Sequence, residues 1–292
     1  MPPHAEAPVA VSRLGPSDAP EAAAFLDADP VLNVYLHALV LRDALGRPRD
    51  EWWGARRDGR LTALVFLGAH SGAVLPAGTD REALHELGAA TAPRRAALPP
   101  RFQVIGTRAA VAALRVHFPG PEFTPRLERD QRYLVVSSDA LARFERLPEL
   151  RAARPEDHAL VYESGAALRA EELLEDPREI DPVAYARRVE EDCRDGHTYV
   201  WRDVRGLVFR ASVSARTPFA AQVAGVYTPP ALRNQGIARR GLSELCARLF
   251  ERSQAVCLFV NDVNAPALAL YRRLGFVEHA EWASAFFEPP LR

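Results

Sequence analysis

Lysine is missing altogether: all 37 basic residues of this 292-residue chain are arginine. No lysine side chain can therefore serve as a base, form a Schiff base or accept a self-modification, and a P-loop would lack its lysine. Cysteine is scarce. Cys193, Cys246 and Cys257 are odd in number and widely spaced, which argues against a disulfide framework and against a paired-cysteine metal site. Cys246 falls on an apolar helix face and Cys257 in an apolar strand, where each reads as a small buried hydrophobe. His158, His197 and His279 are scattered without HxxxH or HExxH spacing, so no metal is expected. No apolar run reaches the ~18 residues of a membrane span, so no span and no membrane partner is expected. A net charge of −1 supplies no basic field to hold nucleic acid. Met1–Glu6 lacks the basic and apolar regions of a secretory signal, so a cytoplasmic location is expected.

What is present suits a globular protein of two ordinary domains: apolar residues make up 48% and charged residues 26%. In the first half, Ala19–Asp27 and Val31–Leu45 read as helices, the second with Leu32, Tyr35, Leu36, Leu39 and Val40 at spacings of three and four. Glu51–Arg56 and Arg60–Gly68 form a hairpin around Asp58-Gly59. A strand Gly72–Pro76, a helix Asp80–Ala90, a strand Phe102–Ile105, a helix Thr107–His117 and a strand Arg132–Ser137 follow. The stretch 141–149 reads as a linker between an N-terminal α/β domain (1–140) and a second domain (150–292). Pro155, Glu156 and Asp157 then open a helix to about residue 169, with an acidic loop after it. A helix Val183–Cys193, strands Thr198–Arg202, Leu207–Ser214 and Ala220–Thr228, a helix Gly236–Ser253, a strand Val256–Asn261, a helix Ala265–Leu274 and a hairpin Phe276–Glu288 complete the chain. No fixed-period repeat is visible, but both halves run from helices into hairpin strands, and an ancient duplication stays open.

The segment Val226–Ala238 carries the chemistry. A β-branched strand meets Pro229-Pro230, which cannot continue pairing inside a sheet, so it ends or splays from its neighbour. A short loop with its own Arg233 then reaches Gly236, which opens a long helix with Ala238, Leu242, Leu245, Cys246 and Leu249 on one apolar face. A helix start has up to four unpaired N–H donors and about half a positive charge, so this is a cradle for a phosphate-bearing ligand.

Arg233-Asn234-Gln235-Gly236-Ile237-Ala238 resembles the Q/R-x-x-G-x-G/A pattern of the GNAT family of N-acetyltransferases. Asn264-Ala265, followed by Leu270-Tyr271-Arg272-Arg273-Leu274-Gly275-Phe276, is similar to the family's second signature, in the right order and at the right distance. Phe259–Asn264 further resembles a two-domain bacterial branch with an added N-terminal domain. The resemblance covers about 150–288. It implies a mixed α/β fold, with a mostly antiparallel sheet flanked by helices. Before it stands a second α/β domain that either is a degenerate GNAT-like half binding no coenzyme A or shapes the acceptor site.

The resemblance also implies acetyl-CoA as co-substrate and direct acetyl transfer to an amine, on a small molecule or a protein N-terminus. The pyrophosphate would lie on the amides from Asn234 through Gln235, Gly236, Ile237 and Ala238 to Arg239, with Arg233 beside it. The pantetheine arm would run along Val226, Tyr227 and Thr228. Tyr271 matches the general acid that protonates the leaving thiolate, or is a packing residue. Asn264 would bond the coenzyme, cap its helix, or both. Many family members place a glutamate on the strand before the glycine loop, but Ala220-Ala221-Gln222-Val223-Ala224-Gly225 has no carboxylate. Glu171, Glu172 and Glu175 are the base candidates, against a solvated acidic loop as the plain alternative. The missing carboxylate also admits a non-catalytic acyl-CoA binding or sensor protein. Neither the acceptor nor the oligomeric state is readable.

Overall fold

The computed structural model describes residues 7–42 and 44–288. Met1–Glu6 lie outside them, as does Asp43 within the expected helix Val31–Leu45. The elements are β1 (Ala10–Leu14), α1 (Ala19–Leu26), α2 (Val34–Leu41), β2 (Glu51–Arg57), β3 (Arg60–Leu67), β4 (Ala73–Gly78), α3 (Arg81–Thr91), β5 (Phe102–Thr107), α4 (Arg108–Arg115) and β6 (Leu127–Ser137). The chain continues with β7 (Arg151–Ala152), α5 (His158–Leu173), a one-turn α6 (Pro177–Ile180), α7 (Pro182–Arg194), β8 (Thr198–Asp203), β9 (Gly206–Arg216), β10 (Ala220–Tyr227), α8 (Ile237–Leu249), β11 (Ala255–Asn261), α9 (Ala265–Arg273) and β12 (Val277–Phe287). Apart from α6, one order occurs twice: strand, two helices, three strands, helix, strand, helix, strand.

Two compact units result. One comprises the chain through Tyr133, Val260–Val263 and the segment from Glu278 on; the other holds Leu134–Phe259 and Asn264–Val277. The units are thus not consecutive in sequence, and the chain first passes from one to the other at Tyr133/Leu134.

In the first unit β1, β2, β3 and β4 form an antiparallel meander, β5 joins β4 in parallel, and β12 pairs antiparallel with β5 from Trp282↔Thr107 to Phe287↔Phe102. Leu14, Leu26, Leu36, Trp52 and Phe66 form one core with α1 and α2, and Leu84, Leu87, Phe102, Leu114 and Phe287 another with α3 and α4. The expected hairpin Phe276–Glu288 is instead one continuous strand. The polar run at its start needs no turn, because each charge has a partner along the strand: Arg132 donates to Glu278 (2.6 Å), Arg108 to Glu281 (3.2 Å), and His279 lies 2.8 Å from Asp29. α2 starts later than expected, because the Asp29 carboxylate accepts from the Leu32 N–H (2.9 Å) and holds Asp29–Asn33 in a turn. β1 and α6 were not anticipated at all.

The second unit repeats the scheme, with β7, β8, β9 and β10 antiparallel and β11 parallel to β10. Val161, Val189, Cys193 and Val200 pack α5 and α7 against the sheet. Ile237, Leu242, Leu245, Cys246 and Leu249 give α8 its buried stripe. Gly241 completes that stripe by close approach: a Cβ there would stand 2.6 Å from the Phe209 ring. The buried Glu244 carboxylate anchors α8, accepting from Arg146 (3.0 Å), Arg248 (2.8 Å) and the Leu147 N–H (3.2 Å).

Asp157 starts α5 and is fully buried. Its carboxylate accepts from Arg151 (2.6 and 3.1 Å), Arg202 (3.2 Å) and the Arg154 N–H (2.9 Å). Burial pushes its pKa up, but the Arg151, Arg154 and Arg202 bonds outweigh it and hold the carboxyl below the usual range. The Asp157→Ala variant is expected to lose ~3 kcal/mol of stability at pH 7, the low end for a broken buried pair because both arginines can rehydrate. A folded-state pKa below the unfolded value of about 3.9 stabilises at pH above that value. The gap between wild type and variant in urea midpoints should therefore be full at pH 6 and shrink as pH falls below about 4.

Candidate functional site

β10 and β11 pair only at Ala220↔Ala255, Ala221↔Val256 and Gln222↔Cys257, although both strands run on, to Tyr227 and Asn261. They part five residues before the strand ends, well ahead of Pro229-Pro230. The β11-facing edge of Val223–Tyr227 is thereby free to bond an extended ligand. On the other side, β10 bulges against β9. The step from Ala224 to Tyr227 spans the step from Ser212 to Arg210, with Gly225 at φ +61° in the extra length.

The chain then enters the cradle. Pro230–Leu232 makes a single tight turn, and Asn234 (φ +62°) and Gly236 (φ +76°) both take the left-handed conformation before α8 begins. Among the described residues, the backbone N–H groups from Asn234 to Arg239 donate to no acceptor, and the first bonded amide is that of Arg240, to the Gly236 carbonyl (3.1 Å). Two left-handed residues turn successive amides toward one point, where the helix dipole adds positive potential. A Cβ on Gly236 would meet nothing closer than Arg239 Nη2 at 3.6 Å, so the space above the loop is open. Thr228 Oγ1 is buried beside the loop and has no partner among the described residues. Free edge, orphaned hydroxyl and unbonded amides together fit a ligand with an amide-bearing arm and a phosphate.

The side chains of the loop are already engaged. Arg233 donates to the Thr228 carbonyl (3.1 Å) and, with Nη2, to both oxygens of Glu171 (2.9 and 2.8 Å). Gln235 bonds the Ala231 carbonyl and Arg205, and Arg239 lies over the Phe144 ring (4.7 Å). Backbone, more than side chains, is thus what the cradle offers an anion. Val226 and Ile237 are half-buried and buried, respectively, at its two ends. Ala238 lies in the first turn of α8.

Tyr271, on α9, is 7% exposed and packs on Phe276 (ring centroids 5.8 Å). Its hydroxyl makes no hydrogen bond among the described residues, and burial, with Glu172 and Cys246 nearby, pushes its pKa up. Asn264 caps α9, Oδ1 accepting from the Ala267 N–H (3.2 Å), so the capping alternative holds. The acidic segment is not the loop expected after residue 169: Glu171 and Glu172 belong to α5, which runs to Leu173. Glu171 is ion-paired with Arg233, and Glu175 with Arg169. Gln222 is buried on β10, donating to Ser214 Oγ (2.9 Å).

One group went unnoticed in the sequence. Arg210 of β9 is 7% exposed. Nη1 donates to the Val161 carbonyl (3.1 Å) and Nη2 to Ser212 Oγ (3.2 Å), which in turn lies 2.8 Å from Thr198 Oγ1. Burial lowers its pKa, while Tyr185, Asp192 and Cys193 pull it back up. Burial lifts the Tyr185 phenol to about 12. The signal available in sequence was the polar alternation Arg210, Ser212, Ser214 and Arg216 along β9.

The equivalent helix start in the first unit is filled by the protein itself. Asp80 caps α3, accepting from the Ala83 N–H (3.0 Å) and from Arg57 Nε (3.2 Å). β4 and β5 also pair at only two positions, but a Cβ on Gly106 would touch the Pro76 carbonyl at 3.0 Å, so the strands stay close there.

Residues 167–276 match the family model described as "Acetyltransferase (GNAT) family". Among solved structures, the chain is similar to a GCN5-related N-acetyltransferase from Sphaerobacter thermophilus (20% identity, 96% of each chain, TM-score 0.58). It is similar also to a tandem GNAT protein from the clavulanic acid biosynthesis pathway (15% identity, 98% of this chain and 100% of that one, TM-score 0.57). A third similar structure is a GNAT-family acetyltransferase from Colwellia psychrerythraea (12% identity, 96% and 100%, TM-score 0.54). No curated protein matches. At these identities the structural likeness concerns the fold, and it extends over nearly the whole chain, as two GNAT-like halves require. Among the described residues no helix is long and apolar enough to cross a membrane, and no group of three His, Cys, Asp or Glu could hold a metal ion.

Proposed function

We propose that this chain, whose residues 167–276 match the GNAT acetyltransferase family model, transfers an acetyl group from acetyl-CoA to an amine. The observation that carries this reading is the run of unbonded amides from Asn234 to Arg239 lying directly beyond the free edge of β10. The pantetheine amides would bond that edge from Val223 to Tyr227, and Thr228 Oγ1 would find its partner there. The pyrophosphate would take the amides. Arg233 would contribute by exchanging its exposed Glu171 partner, a pair worth only about 0–1 kcal/mol, for phosphate oxygen.

In the reaction the neutral amine nitrogen attacks the thioester carbonyl carbon. Charge builds on the carbonyl oxygen, which a backbone N–H of the β10 bulge would stabilise. The C–S bond breaks as Tyr271 gives its phenolic proton to the sulfur, and the amine proton leaves through solvent to a carboxylate. Of the base candidates, Glu172 is the one whose field reaches Tyr271, Glu171 would be released as Arg233 turns to the phosphate, and Glu175 is paired with Arg169. The domain at 150–292 would do this chemistry. The first 140 residues, whose helix start is filled by Asp80, would bind no coenzyme A.

A second reading, a non-catalytic acyl-CoA binding protein, is favoured by Gln222 standing on the strand where a base is sought. Calorimetric titration with acetyl-CoA, together with thiol release over a panel of amines, separates the two. Tight binding with turnover of at least one amine is expected. Binding without turnover favours the sensor, and no binding of acetyl-CoA sinks both readings.

A further inference from the structure

Arg210 is a full positive charge buried in the second unit with no counter-ion among the described residues. Two of its five N–H donors are used, by a carbonyl and a hydroxyl, and Nε is buried with no partner among the described residues. The charged group of α7 that acts on it, Asp192, is itself paired with Arg188, and Tyr185 and Cys193 are neutral at pH 7. A buried guanidinium without a carboxylate is costly, and the chain has made room for it regardless. Gly165 on α5 has no side chain, and a Cβ there would stand 2.6 Å from Nη1. On the other side, a Cβ on Gly225 would meet Leu168 Cδ2 at 3.6 Å, Ser212 Oγ at 3.8 Å and Nη2 at 3.9 Å, so the guanidinium lies close to the partly exposed β10 bulge. That bulge is where the acyl group would arrive.

We propose that Arg210 receives a carboxylate that a reacting ligand brings to the Gly225 bulge. The inference rests on the acyl-transfer reading for what the ligand is, but not for whether an anion binds. Two sources share this chemistry: an acceptor amine bearing a carboxylate, such as an amino acid, or an acyl group ending in one, such as a succinyl thioester. Either supplies the missing counter-ion in a bidentate, charge-assisted pair.

The test has a binding arm and two kinetic arms. In the binding arm, the Arg210 Nε–H resonance, assigned by its loss in Arg210→Met, is followed while N-acetylglycine or succinate is added. The neutral controls are N-acetylglycinamide and succinamide. A shift with the carboxylates alone is expected. No shift with either carboxylate overturns the proposal, whatever coenzyme A does. In the kinetic arms, amino acids are compared with their carboxamides as acceptors, and succinyl-CoA with acetyl-CoA as donors. The wild type should prefer the carboxylate member in one arm by about 30-fold or more, and the arm that shows it identifies the source. Arg210→Met should erase that preference while acetyl-CoA affinity stays within about threefold, with Arg210→Lys in between. A preference that survives Arg210→Met overturns the proposal. Loss of acetyl-CoA binding by the wild type would instead remove the acyl-transfer reading and leave the resonance shift to stand alone.

Discussion

Gly236→Glu is expected to weaken acetyl-CoA binding at least about 100-fold, a loss of ~2.7 kcal/mol, with the fold retained. Three effects act together. The φ of +76° disfavours any residue with a Cβ by about 1–2 kcal/mol. The open space above the loop, where only Arg239 Nη2 comes within 4 Å, becomes occupied. A negative charge then stands where the amides await another, and one unit of like charge at 4 Å repels by about 4 kcal/mol at an effective dielectric of 20. Gly236→Asn separates these causes. Asparagine tolerates the left-handed region, as Asn234 does two residues earlier at φ +62°, so this variant should bind within about tenfold of wild type. Calorimetry on both, with thermal unfolding as control, is the measurement. Undiminished affinity in Gly236→Glu would mean that the ligand sits elsewhere.

Tyr271→Phe should lower kcat by about 100-fold or more and leave acetyl-CoA affinity unchanged. The ring keeps its packing on Phe276, and the hydroxyl has no hydrogen bond among the described residues to lose, so a purely structural tyrosine would give a nearly silent variant. Burial and the neighbouring Glu172 hold the phenol protonated well above its ordinary pKa of about 10. The wild-type rate should therefore show no alkaline loss attributable to this group up to about pH 10. The same shift sets a constraint on the step. A phenol of raised pKa is a weaker acid than the thiol it protonates, at a cost of ~1.4 kcal/mol per pKa unit. The proton therefore moves as the C–S bond breaks and charge reaches the sulfur, not before. A fall in kcat of less than about threefold removes Tyr271 from the reaction.

Most of the second unit was legible in its residues. Helices announced by Pro155-Glu156-Asp157, by Gly236 and by Asn264-Ala265-Pro266 end within a few residues of where their apolar stripes end. Three features were not legible. The parting of β10 and β11 after Gln222 cannot be read from either strand alone, since both run on largely apolar past that point, and Pro229-Pro230 marks only where β10 stops. Arg210 looked like one arginine among 37, because burial of a charge is decided by what packs on it, here Gly165 and Gly225. The polar start of β12 suggested a turn because its partners, Arg132, Arg108 and Asp29, lie far away in sequence.

The pairing of β12 with β5 governs the order in which this protein can be made. Phe102–Thr107 emerges early in synthesis, yet its antiparallel neighbour Trp282–Phe287 follows only after the entire second unit has been translated. Until then β5 has a strand only on its β4 side, and Phe287 is missing from its core. At about 5–20 residues per second, that edge waits on the order of ten seconds or more. The residues of the second unit are all made before Trp282–Phe287 appears, so the first unit is the later of the two to finish. An edge left open that long is where chaperones or stray strands would bind the nascent chain.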